Sequence, residues 1–289
     1  MAAAALRGRA RRLMGTSSGL DHIGVCSRDA AALWEAYERL GFTLTPVARQ
    51  SRGEEPLGTA NRCAMLRRGY IELLAIVDPA LPDNGLGAML DRFAGAHILA
   101  LGMQDAEGNL ARLRRAGLVI PGISPLSRPA EPGGPIARFE RLPLPDAPEG
   151  RVQLVRHLTP EAIWQERWMG HPNGATELRA AILVSGRPAE SAARLSRLSG
   201  LVLEPDPAGG FALPLPDGAR VRILAPEAAA AILPGVEAPA LPAVMGMVLG
   251  VADPAATRAR LASEPLVEVP GGVMVPPERA GGCALVFAA

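Results

Sequence analysis

One pattern recurs along the 289 residues: a strand, a helix, then three short strands punctuated by glycine and proline. A unit that repeats in this way cannot bury its apolar face alone, so its copies must pair or stack to share a core. In the first copy LDHIGVCS alternates as a strand, and DAAALWEAYERLG carries Leu33, Trp34, Tyr37 and Leu40 on one helical stripe that Gly41 terminates. FTLTPVAR, TANRCAMLRR and GYIELLAIV follow as three apolar or β-branched runs, which completes a β-α-β-β-β unit over residues 20–77. The second copy runs from AHILALGM through the helix DAEGNLARLRRAG, with Leu110 and Leu113 inward, to GRVQLVRHL. A Pro-rich insertion over residues 121–150 interrupts it and still supplies the strand IARFERLPL. Further copies read LRAAILVSG to ARVRILAP (178–226) and VMGMVLGVA to CALVFAA (243–289).

The fold class expected is therefore α+β, with four βαβββ modules, and a chain of this length divides them between two domains. The expected plan is a disordered leader at 1–19, an N-terminal domain at 20–158, a linker helix at 159–177 and a C-terminal domain at 178–289. In the linker, Thr159 is placed to cap a helix that opens on Pro160, with Trp164 and Trp168 on one face.

Composition then removes whole classes of function. Thirty basic residues against 29 acidic ones give a net charge of +1, which leaves no surplus field to gather nucleic acid. Every basic residue is arginine, so a lysine Schiff base and a phosphate-loop lysine are both excluded. No apolar run approaches the roughly 20 residues of a spanning helix. Cys26, Cys63 and Cys283 are odd in number, lack CxxC spacing and sit in apolar runs, as buried thiols of a cytoplasmic protein do. The first residues are Arg-rich, but the AAAAL run is too short for a secretion signal, and translation starting at Met14 is an alternative.

Of four histidines, two stand at matching places: His22 in LDHIGV and His97 in AHILAL each open the first strand of their unit. The last strands of the same units offer Glu72 in GYIELL and Gln153 in GRVQLV, each three residues after a glycine. An acid inside IELLAI must be paired or metal-bound if it faces inward, whereas strand histidines and a glutamine can equally be satisfied by hydrogen bonds. His157, an even step beyond Gln153, shares its strand face and is a rival ligand or a substrate contact. Asn61 can hold a substrate oxygen or simply form a turn. Arg49, Arg52 and Arg128 lie in loops from which they can meet an anion, and His171 is placed to reach a mouth between the domains.

LDHIGV with GFTLTP, GTAN, GYIELL and HPNGATEL resembles the glyoxalase-like branch of the vicinal oxygen chelate superfamily, most strongly over residues 20–77 and 157–184. The resemblance implies two curled-sheet domains, each made of paired βαβββ modules around a cup. It also implies a divalent metal (Fe, Mn, Ni, Co or Zn) held by His22, Glu72, His97 and Gln153, with Glu72 doubling as the catalytic base. The activity implied is that of a lyase, isomerase or ring-cleaving dioxygenase acting on a small molecule with vicinal oxygens. A metal-free protein that sequesters a small molecule is the alternative, favoured by the amide at Gln153 and by the insertion. The second half, with Arg222 near the glutamate place and no histidine in its first strands, carries no ligand set. Neither nucleic acid nor membrane is an expected partner, and both a monomer and a homodimer remain open.

Overall fold

The computed structural model describes residues 16–52, 54–144 and 147–289. Residues 1–15, which hold most of the expected leader and Met14, lie outside them. The first module comprises β1 (Ser17–Ser27), α1 (Ala30–Arg39), β2 (Ala48–Arg52), β3 (Glu55–Met65) and β4 (Tyr70–Ile76). Short helix α2 (Leu86–Leu90) leads to the second module, made of β5 (Gly95–Met103), α3 (Ala106–Arg115), β6 (Ser124–Pro129), β7 (Ile136–Pro143) and β8 (Arg151–His157). The third has β9 (Ala175–Val184), α4 (Pro188–Ser199), β10 (Glu204–Pro205), β11 (Phe211–Pro214) and β12 (Arg220–Leu224), and α5 (Pro226–Ala230) follows it. The fourth has β13 (Ala243–Val251), α6 (Pro254–Arg260), β14 (Val267–Val269), β15 (Gly272–Val275) and β16 (Ala284–Ala288).

All four modules are wired alike. The first strand runs parallel to the last, as β1·β4, β5·β8, β9·β12 and β13·β16, because the helix serves as the crossover that parallel neighbours require. The first strands then pair antiparallel, β1 with β5 and β9 with β13, which joins modules into two curled sheets. A further bridge, Val244 to Ala96, makes the sheets continuous. Three of the crossover helices begin with an aspartate whose carboxylate accepts a first-turn N–H: Asp29 from Ala32, Asp105 from Gly108, and Asp253 from Ala255 and Ala256.

The halves are bolted together by their helices. Tyr37 of α1 is fully buried and donates its hydroxyl to the Ala280 carbonyl at 3.3 Å, while Arg39 and Arg279 share the Glu264 carboxylate, each at 2.9 Å. On the other side Arg197 of α4 reaches the Ala116 carbonyl at 2.6 Å, and Arg112 of α3 caps the carbonyl of Leu198. Asn173 closes the seam: buried, it donates to the Leu40 carbonyl and accepts from Ala175 N–H, and its own carbonyl takes the Thr257 hydroxyl.

Three expectations are corrected. Strand β1 begins at Ser17, where it pairs with Met103, so residues 17–19 are sheet and not leader. The linker is not one helix but two 3₁₀ turns, Pro160–Ala162 and Glu166–Trp168, because the Thr159 hydroxyl accepts from Arg138 N–H and donates to the Ile136 carbonyl instead of capping. FTLTPVAR is extended only from Ala48, since the Thr45 hydroxyl and carbonyl are taken up by Cys63 N–H and the Arg62 side chain. Among the described residues no helix is long and apolar enough to cross a membrane.

Candidate functional site

The register of β1 against β4 places His22 beside Tyr70 and Gly24 beside Glu72. Gly24 is required there: a Cβ on it would lie 2.6 Å from the Cβ of Ile98 on the neighbouring β5. These strands wall a small cup of about 50 Å³ lined by His22, Asn61, Tyr70, Glu72, Ile98, Arg128, Arg141, Arg151 and Gln153. The cup shares Gln50, Leu126, Phe139, Arg141 and Arg151 with a larger outer cavity of about 690 Å³.

Glu72 is 9% exposed, and its Oε1 accepts from Asn61 Nδ2 at 2.5 Å. Its Oε2 faces His22 Nε2 at 3.8 Å, too far for a hydrogen bond. The His22 ring lies on Tyr70 with centroids 4.6 Å apart, and its Nδ1 meets Asp21 Oδ1 at 2.6 Å. Asp21 in turn takes His157 Nε2 on Oδ2 at 2.8 Å. Successive strand residues normally point to opposite faces, but the β1·β5 register slips between Leu20 and His22, so Asp21 sits on a bulge that turns its carboxylate toward the imidazoles. Burial alone would raise the Asp21 carboxyl, but the charge and hydrogen bonds of His157 and His22 hold it far below the usual carboxylate range. An ionised Asp21 accepts only, so His22 donates through Nδ1–H and, when neutral, presents the lone pair of Nε2 to the cup.

The four expected ligands do not converge. His22, Glu72 and Gln153 line the cup, whereas His97 does not: its Nε2 donates to the Phe93 carbonyl at 2.7 Å and its ring packs on Phe93. Pairing explains the miss. Glu72 stands beside Gly24 and Gln153 beside Ala100, so the counterpart of His22, two residues earlier, is Ile98 and not His97. A one-residue shift on a strand turns a side chain to the other face. His157 lines neither cavity: it packs edge-on against Trp164 at 4.7 Å and Phe139 at 5.0 Å, with Nε2 on Asp21 and its buried Nδ1 without a hydrogen-bond partner. His171 is half-buried in the connector, accepting from Thr43 N–H and donating to the Met65 carbonyl, and it lines neither cavity. Asn61 lines the cup but is held by Glu72. Arg52 and Arg128 do line the cavities, whereas Arg49 lines neither of them.

A resident divalent ion does not fit this donor set. It would find one imidazole, one carboxylate already held by an amide, and one neutral amide, facing the guanidinium-bearing residues Arg128, Arg141 and Arg151. Among the described residues no group of three His, Cys, Asp or Glu side chains is arranged to hold a metal. The cysteines play no part: burial pushes Cys26, Cys63 and Cys283 up to about 12, so they remain thiols.

The second half lacks such a cup chemistry. Arg222, near the glutamate place, makes a two-pronged bond to Asp206 at 2.6 and 2.7 Å. Its apolar side chains Val184, Leu224, Met245, Met274 and Val286 pack against Ala229 and Leu233, and Val184, Ala229, Leu233 and Met245 also line a mostly apolar cavity of about 240 Å³. Asp21, bonded to both His22 and His157, is the residue beside the cup that sequence reasoning missed; its one signal was adjacency to His22.

A sequence profile described as a glyoxalase-like domain matches residues 20–199. No curated protein matches the chain. Among solved structures, a hypothetical protein from Staphylococcus aureus superposes with a TM-score of 0.61 at 13% identity, covering 93% of this chain and 97% of its own. A mutant 4-hydroxymandelate synthase from Streptomyces coelicolor gives 0.60 at 14% identity, covering 89% and 78%. The Mn(II)-bound glyoxalase from Novosphingobium aromaticivorans gives 0.53 at 12%, covering 94% and 82%. At these identities the likeness is one of fold.

Proposed function

Because the chain belongs to the glyoxalase-like domain family, of the vicinal oxygen chelate superfamily, we propose that its first module pair binds a small oxygen-bearing molecule in the cup and works by proton transfer without a resident metal. The observation that carries this reading is the pair of proton acceptors, Glu72 Oε2 and His22 Nε2, 3.8 Å apart in the cup wall. A proton leaving a ligand in the cup passes to Glu72, whose other oxygen Asn61 steadies, or to His22, whose resulting imidazolium Asp21 stabilises through Nδ1–H. The arginines and Gln153 supply donors for the oxygens on which charge develops. In this chain the place on β5 that corresponds to His22 holds Ile98, so the cup offers a single imidazole.

Thermal-shift screening of tag-free protein against small α-hydroxy and α-keto acids, with chelator present, tests the reading. Stabilisation that persists in chelator and changes in Glu72→Gln and His22→Gln supports it. Stabilisation that appears only after a divalent metal is added contradicts it.

A further inference from the structure

The outer cavity carries a chemistry that the cup does not need. Arg52, Arg138, Arg141 and Arg151 all line it, and among the described residues no aspartate or glutamate does. Two of these cations are held close together by one residue: Asn84 accepts from Arg52 Nη2 on its side-chain oxygen at 3.0 Å and from Arg151 Nη2 on its backbone carbonyl at 2.8 Å. Asn84 does so in the left-handed region, φ 55°, which asparagine tolerates better than most side chains. Arg141 stands at the boundary of cup and cavity, with Nη2 donating to Ser124 Oγ at 3.3 Å and its buried Nε making no hydrogen bond. Burial, and after it the Arg151 charge, lowers the basicity of the Arg141 guanidinium, and the Glu72 carboxylate of the cup opposes them only in part.

Four arginines lining a cavity that no carboxylate lines are costly to gather unless a ligand adds negative charge. Guanidinium forks match the oxygens of carboxylates and phosphates, often through two parallel bonds. We propose that the ligand of this protein carries a dianionic oxygen group, a phosphate monoester or a pair of carboxylates. That group is seated between Arg52, Arg141 and Arg151 while the reacting end enters the cup. The proposal rests on the reading of the cup as a ligand site and specifies the substrate class that reading leaves open.

Calorimetric titration of the full chain at low ionic strength tests it, with glycerol 1-phosphate, succinate and acetate as probes. The expected result is one site for a dianion and binding of acetate weaker by roughly tenfold or more, with whichever dianion binds tighter naming the group. Arg52→Gln, on an exposed side chain, and Arg141→Gln each weaken dianion binding by roughly tenfold or more, the scale of a lost charge-assisted pair. Arg220→Gln, on β12 of the other half, leaves it unchanged. Acetate binding as tightly as succinate and the phosphate ester, or dianion affinity untouched in both cavity variants, overturns the proposal. Dianion binding that depends on these arginines while Glu72→Gln and His22→Gln alter no acid's thermal shift would overturn the cup reading alone, so the two failures are distinct.

Discussion

Asp21 decides what His22 can do. With its carboxylate wedged between two imidazoles at 2.6 and 2.8 Å, one ring is fixed as a donor at Nδ1 and leaves Nε2 toward Glu72. The other two histidines show the opposite use of the residue. His171 accepts from Thr43 N–H at Nδ1 and donates at Nε2, so it must stay neutral, and burial lowers its basicity and that of His97 below the ordinary 6.5. The unfolded chain takes those protons near pH 6.5 and the folded chain does not. Stability from these two rings is therefore complete above about pH 6.5 and lost as pH falls below it. Urea midpoints measured from about pH 8 to about pH 5 should decline across that window, less steeply in His171→Gln; a flat profile would contradict neutral burial. Asp21, held low, adds a separate loss only as pH falls below the ordinary carboxylate range. Of the site, His22 and Glu72 were legible in LDHIGV and GYIELL. The role of Asp21 was not, because a bulge that re-aims a side chain leaves no mark in alternation.

At the scale of elements, the legible part is the order of strands and helices, which the glycine- and proline-punctuated pattern carries through all four modules. Register was not legible. His97 and His22 sit at like places in their motifs, yet pairing with β4 and β8 makes Ile98 the counterpart, and the imidazole of His97 turns to the Phe93 side. This predicts a gain of function. Ile98→His should place a second imidazole in the cup opposite His22 and Glu72, so chelator-stripped variant protein should bind about one Zn²⁺ or Ni²⁺ per chain. His97→Gln should leave the cup unaltered. Failure of Ile98→His to gain metal while remaining folded by circular dichroism would count against the assigned register. The linker was misread for a related reason: Pro160 and Thr159 favour a helix start locally, but long-range bonds from Arg138 and to Ile136 claim the threonine.

Taken whole, the molecule uses one architecture twice and chemistry once. The second pair of modules keeps the strand pairing but lines its cavity mostly with apolar side chains and ties Arg222 to Asp206, while Tyr37, Glu264 and Asn173 lock it against the first pair. The second half is thus bonded directly to the half that holds the cup, and the missing histidines of its first strands were legible in the sequence. A metal centre does not follow from the fold alone, since a site is made by individual side chains on a shared scaffold. Calorimetric titration of Mn²⁺, Fe²⁺, Ni²⁺ and Zn²⁺ into chelator-stripped, tag-free protein is the most direct check on that point. No saturable site dependent on the cup is predicted. Stoichiometric binding of one ion per chain, abolished by both His22→Gln and Glu72→Gln, would contradict it.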